Sequence, residues 1–203
     1  MVKRLLVLST LLLFAASARA GVVVALDNVS NVSGHFDWVY NVTLENNSQM
    51  SAEDYFVLYD IPGLITPPVW SPNVGTLPNL TGVPDITHWT VTETGTGPVP
   101  PNLLPKDGSD PNVVVSLNPG EPLIAPRPQD TNGLLLGQLT VSSPFDTEGL
   151  INFTSQSAQS GGSPLYVIKL VAGPVPEPST VGMMGAGLMA FVAVALRRRR
   201  PHR

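Results

Sequence analysis

Between Gly21 and Val175, the side chains that could do chemistry are two histidines, His35 and His88, three tryptophans, Trp38, Trp70 and Trp89, and fourteen carboxylates. There is no cysteine, which removes thiol nucleophiles, thiolate metal sites and disulfides together. Two histidines are too few for a histidine-rich metal centre, and they do not stand in HExxH spacing. No Gly-x-Ser-x-Gly elbow presents a serine to either of them, and there is no Walker A loop or dinucleotide fingerprint. Paired carboxylates could hydrolyse a glycosidic bond, but the sequence offers no way to choose two. The expectation is no enzyme, no cofactor and no metal site, with a secreted hydrolase as the last-ranked alternative.

Charge narrows the partners. Only Lys106, Arg127 and Lys169 offset the fourteen acids of this stretch, a net charge near −11. Such a surface repels a phosphate backbone, so nucleic-acid binding is not expected. Asp107, Ser109, Asp110 and Asn112 form an oxygen-rich stretch, and Asp130-Thr131-Asn132 a second, but neither matches an EF-hand loop and both residue sets also make turns. Asn-x-Ser/Thr tripeptides begin at Asn28, Asn31, Asn41, Asn46, Asn79 and Asn152, a pattern that ordinary loop and strand composition also produces. Trp38 and Trp89 fall in strand-like runs and are expected in the core. Trp70, between Pro67-Pro68 and Pro72, is expected to be exposed and is the first candidate for a sugar contact.

The elements that would position these residues read as strands. In 38–44, Trp38, Tyr40, Val42 and Leu44 share one face, opposite Asn41 and Thr43. Similar runs occur at 22–26, 55–60, 87–92, 113–117, 134–141, 150–153 and 165–171. About eight such strands predict an all-β antiparallel β-sandwich over 21–172, with Greek-key or jelly-roll crossings rather than tight hairpins. Fifteen of the twenty-one prolines lie in 62–128, which predicts a loop-rich, Pro-rich excursion.

Both ends are specialised. Residues 1–20 read as a secretory signal peptide: basic Lys3 and Arg4, an apolar run over 5–16, and Ala18-Arg19-Ala20 as a small-x-small site cut after Ala20 by the general secretion machinery. In 173–203, Pro176-Glu177-Pro178 lies in a 175–180 segment that prolines keep extended. An apolar run over 181–196 then reaches about 24 Å as a transmembrane helix, short of a ~30 Å hydrocarbon core. Arg197, Arg198, Arg199 and Arg200 follow as a stop-transfer cluster, which places the acidic domain on the exported side.

This order of parts resembles the PEP-CTERM sorting signal, over about thirty residues at the C-terminus. The resemblance implies recognition of Pro176, Glu177 and Pro178 by exosortase, a membrane-embedded cysteine protease, with 181–196 holding the precursor in the inner membrane until processing. It implies a Gram-negative host that makes exopolysaccharide, and a final place at the cell surface or in the extracellular matrix. The stretches 40–44 and 54–63 are similar, loosely, to extracellular domains that precede such tails. The functional expectation is a non-enzymatic surface or matrix protein in biofilm or floc cohesion. The alternative is a carbohydrate-binding module attaching to exopolysaccharide.

Overall fold

In a computed structural model, residues 21–73, 85–98, 110–126, 130–159 and 162–176 are described. The alternation in 38–44 does what period-two patterning dictates: Trp38, Tyr40, Val42 and Leu44 are fully buried, while the residues between them face outward. Among the described residues ten strands result: β1 (Val22–Val32), β2 (His35–Leu44), β3 (Ser48–Gln49), β4 (Tyr55–Leu58), β5 (Ile65–Pro72), β6 (Trp89–Thr94), β7 (Asn112–Leu117), β8 (Leu134–Ser143), β9 (Glu148–Gln159) and β10 (Pro164–Pro174).

They form two antiparallel sheets, one of four strands in the order β1-β2-β8-β5 and one of six in the order β10-β9-β4-β7-β6, with β3 added to β9. One apolar core lies between them, taking Trp38, Tyr40, Trp70 and Leu139 from the first sheet and Phe56, Trp89, Val115 and Phe153 from the second. The chain changes sheet between β2 and β3, β4 and β5, β5 and β6, β7 and β8, and β8 and β9. This is the crossing behaviour expected of a sandwich.

Three expectations need correction. The proline-rich stretch holds, beside the strands expected near 87–92 and 113–117, one that was not expected, β5. Pro67 and Pro68 fall where the register against β8 shifts, between Ile65 and Val69, and β5 is an edge strand whose outer side needs no ladder donors. Tight hairpins do occur: β1 runs on to Val32 and turns into β2 through Ser33 and Gly34 alone, both at positive φ, the signature of a two-residue hairpin turn. The run at 87–92 opens with a 3-10 turn, Asp85–His88, and becomes a strand only at Trp89.

Strand β8 carries a bulge. Val42 pairs with Gly137 but Thr43 pairs with Leu135, leaving Leu136 as the extra residue. Gly137 is buried against β5, where a Cβ would stand 2.5 Å from the Ser71 carbonyl oxygen and 2.7 Å from Pro72 Cα.

Candidate functional site

The alternation of β10 continues beyond 172, the expected end of the domain. Val167 and Val171 face the core, Gly173 continues the series, and Pro174 pairs with Glu148 of β9. The Val175 N–H then donates to the Thr147 carbonyl at 2.9 Å. Two glycines make this close approach possible. A Cβ on Gly149 would fall 2.3 Å from Val175 Cγ1, so the Val175 side chain occupies the room that a side chain at 149 would need. A Cβ on Gly173 would meet Ile151 Cδ1 at 2.5 Å. The fold therefore closes on Val175, three residues past the expected boundary, and Pro176 is the first exposed residue beyond it.

Gly173, Pro174 and Val175 were expected to belong to the 173–203 tail, since glycine and proline punctuate sequences. The core-facing parity of Gly173, shared with Val167 and Val171, was the available signal for a strand. The remaining site residues of the two ends, Ala18, Ala20, Glu177, Pro178 and Arg197 to Arg200, lie outside the described residues, as does the 181–196 segment. Among the described residues no helix is long and apolar enough to cross a membrane.

Trp70 is not an exposed sugar platform. It is buried at 3% exposure, packed edge-on against Phe56 at 5.5 Å and Trp89 at 5.3 Å between ring centroids. The cause is parity: Trp70 pairs with core-facing Leu139, so it points inward while Val69 and Ser71 point out. Trp38 and Trp89 are in the core as expected, and Trp38 Nε1 donates to the Phe145 carbonyl at 3.1 Å.

The histidines sit apart, each against a carboxylate. His88 Nδ1 contacts Glu121 Oε2. His35 Nε2 lies 3.4 Å from Asp37 Oδ1, the same oxygen that accepts a hydrogen bond from Ser142 Oγ at 2.5 Å. In this cluster the carboxylate, not the imidazole, is the hub. That ordering differs from a nucleophile and base arrangement, in which the imidazole must reach the hydroxyl.

Of the two oxygen-rich stretches, 107–109 lies outside the described residues, and Asp130-Thr131-Asn132 forms a turn closed by Gly133 N–H to the Asp130 carbonyl at 2.9 Å. The outer face of the four-stranded sheet carries a polar ladder. Asn41 Nδ2 donates to Asp27 Oδ1 at 2.8 Å, and Gln138 Nε2 donates to Asn41 Oδ1 at 3.0 Å.

One buried acid gives the domain a pH dependence. Asp54 accepts from Ser51 N–H at 2.8 Å and Ser51 Oγ at 3.0 Å, yet burial outweighs these bonds and holds its carboxyl above the ordinary 3.8. The native state then binds this proton more tightly than the unfolded chain does, so this carboxyl lowers stability as pH rises from 3.8 through the folded value. Asp54→Asn is expected to remove that slope in denaturant titrations run across the acidic range. An unchanged slope would assign the titration to other carboxylates.

The family model for the PEP-CTERM protein-sorting motif matches residues 174–200, so the match opens inside β10. It implies an exported protein held in the membrane and then processed by exosortase, a membrane protein. No curated protein and no solved structure matches the chain.

Proposed function

We propose that this chain is a non-enzymatic exported protein whose β-sandwich acts by being displayed at the surface or in the extracellular matrix of a Gram-negative bacterium, contributing to biofilm or floc cohesion. On this reading residues 1–20 direct export, 181–196 holds the precursor in the inner membrane, and exosortase processes it near Pro176, Glu177 and Pro178. The observation that carries the reading is the sorting-motif match at 174–200, set directly against the end of a folded all-β domain. The clamp on Val175 supports a further detail: the peptides up to 174–175 are held against β9 and Thr147, so the scissile bond lies after Val175 and β10 stays whole in the product.

The test is the intact mass of the protein recovered from envelope and medium fractions of its host, with and without the processing protease. The expected product starts at Gly21, retains Val175, and has lost 181–203 only where the protease is present. Retention of 181–203 in every fraction would reduce the tail to a plain anchor and overturn the sorting reading.

The Asp27, Asn41 and Gln138 ladder favours a second reading, attachment to exopolysaccharide, because flat rows of amides and carboxylates can bind sugar hydroxyls. With Trp70 in the core, that reading rests on the ladder alone. Co-sedimentation of the domain with host exopolysaccharide, lost in Asn41→Ala, is the result it requires.

A further inference from the structure

The outer face of the six-stranded sheet carries two apolar regions, separated by Asn152, Thr154 and Gln156 of β9, and the chain covers only one of them. Tyr55, Val57, Tyr59 and Val114 form a second buried cluster there. The segment through Gly97 and Pro98 lies over it, with Tyr59 Oη donating to the Pro98 carbonyl at 2.6 Å. The other part, on β9 and β10, is open. By register, Leu150, Leu170, Ile168 and Tyr166 all face outward, opposite Ala172, Asn152, Thr154 and Gln156 respectively. Leu150 is 67% exposed, Leu170 60%, Ile168 42% and Tyr166 38%. A continuous exposed apolar stripe of this kind marks an interaction surface rather than scattered surface leucines.

We propose that this stripe is a lipid-contact surface, lying in the bilayer interface while the chain is still membrane-held; the proposal rests on the sorting reading given above. Three observations select a lipid surface as the occupant. The first is reach. The strand bearing the stripe is clamped as far as Val175, and only residues 177–180 separate Pro176 from the apolar run at 181, at most about 18 Å when fully extended. A tether that short keeps the stripe at high effective concentration over the membrane.

The second is composition. The outward positions of β10 from Tyr166 through Ile168 and Leu170 to Ala172 carry no charge, and Lys169, the only lysine or arginine among the described residues, belongs to the opposite face of the strand. Tyr166 is the aromatic type that settles at the headgroup level. The third observation argues against the obvious competitor, a second copy pairing along β10. Lys169 occupies a core-facing position between Val167 and Val171 on an edge strand and is nevertheless exposed, so its charge blocks an incoming strand.

The test uses the full chain reconstituted in vesicles of phosphatidylethanolamine and phosphatidylglycerol, carrying one nitroxide at a time on Leu170→Cys, Leu135→Cys or Ala186→Cys. Without native cysteines each label is unique. Leu135 is the reference, a 37% exposed position on the outer face of the other sheet. The expected result is an oxygen-to-nickel-chelate collision ratio severalfold higher at 170 than at 135, approaching that at 186. An aqueous ratio at 170 with a lipid ratio at 186 would overturn the lipid surface and leave the sorting reading intact. Aqueous ratios at both would sink both, and lipid at 170 with water at 186 would uphold the surface while removing the anchor. Shielding at 170 from both colliders, growing with the protein-to-lipid ratio, would assign the stripe to a second copy and overturn the proposal.

Discussion

Trp70→Ala is expected to destabilise the domain by about 3–5 kcal/mol, the range for removing a buried large aromatic. A domain of this size has about 5–15 kcal/mol in total, so the variant stands near the edge of folding. The indole comes from β5 of one sheet and packs against Phe56 of β4 and Trp89 of β6 in the other, so its loss opens the core where the two sheets meet. Trp70 Nε1 finds no hydrogen-bond partner among the described residues, so Trp70→Phe forfeits volume and no bond. That variant is expected to lose less than about 2 kcal/mol. Equilibrium denaturation of both variants checks the contrast. A Trp70→Ala protein of unchanged stability would mean that the indole is not where the two sheets meet.

The second large effect is at Gly137. A methyl group there would point at the Ser71 carbonyl oxygen, Pro72 Cα and Trp70 Cη2, within 2.5, 2.7 and 3.0 Å. Two of these atoms are backbone and cannot swing aside, so β5 must move away from β8. Overpacking costs about 1–3 kcal/mol, and strand displacement puts Gly137→Ala at the upper end, about 3 kcal/mol. Gly95→Ala is the matched reference, because a Cβ there meets nothing within 4 Å. If the two alanine variants unfold at the same denaturant concentration, the close approach of β5 to the bulge is wrong.

The two positions also show where sequence reading works. Strands such as β2 and β8 were legible because burial on one face writes itself as alternation, and Trp38, Tyr40, Val42 and Leu44 carry that signal without interruption. Strand β5 was not legible. Pro67, Pro68 and Pro72 argue against a strand unless it is known to lie at an edge, and edge position depends on pairing with β8, some seventy residues away. The inward face of Trp70 follows from that same pairing, so the misplaced sugar contact and the missed strand are one error. The extra length of β1 was hidden in a different way: Asn28-Val29-Ser30 followed by Asn31-Val32-Ser33 reads as a polar echo, and only the turn at Ser33-Gly34 makes it half of a hairpin. The sorting motif needed no tertiary information, since order and composition near the chain end define it. What was missing was its phase relative to the fold, which depends on a notch at Gly149 that no local pattern announces.

That phase also sets an order of events. On the proposed export route, a chain threaded from its N-terminus would expose β1 first and β10 last, and β9 could not gain its outer neighbour until residues 164–174 had emerged. By then the proposed anchor at 181–196, which starts only seven positions after Pro174, would have entered the channel. On that route, completion of the sandwich and arrival of the anchor would be nearly one moment, with the core-facing Val167 and Val171 unsheltered until the chain is released sideways.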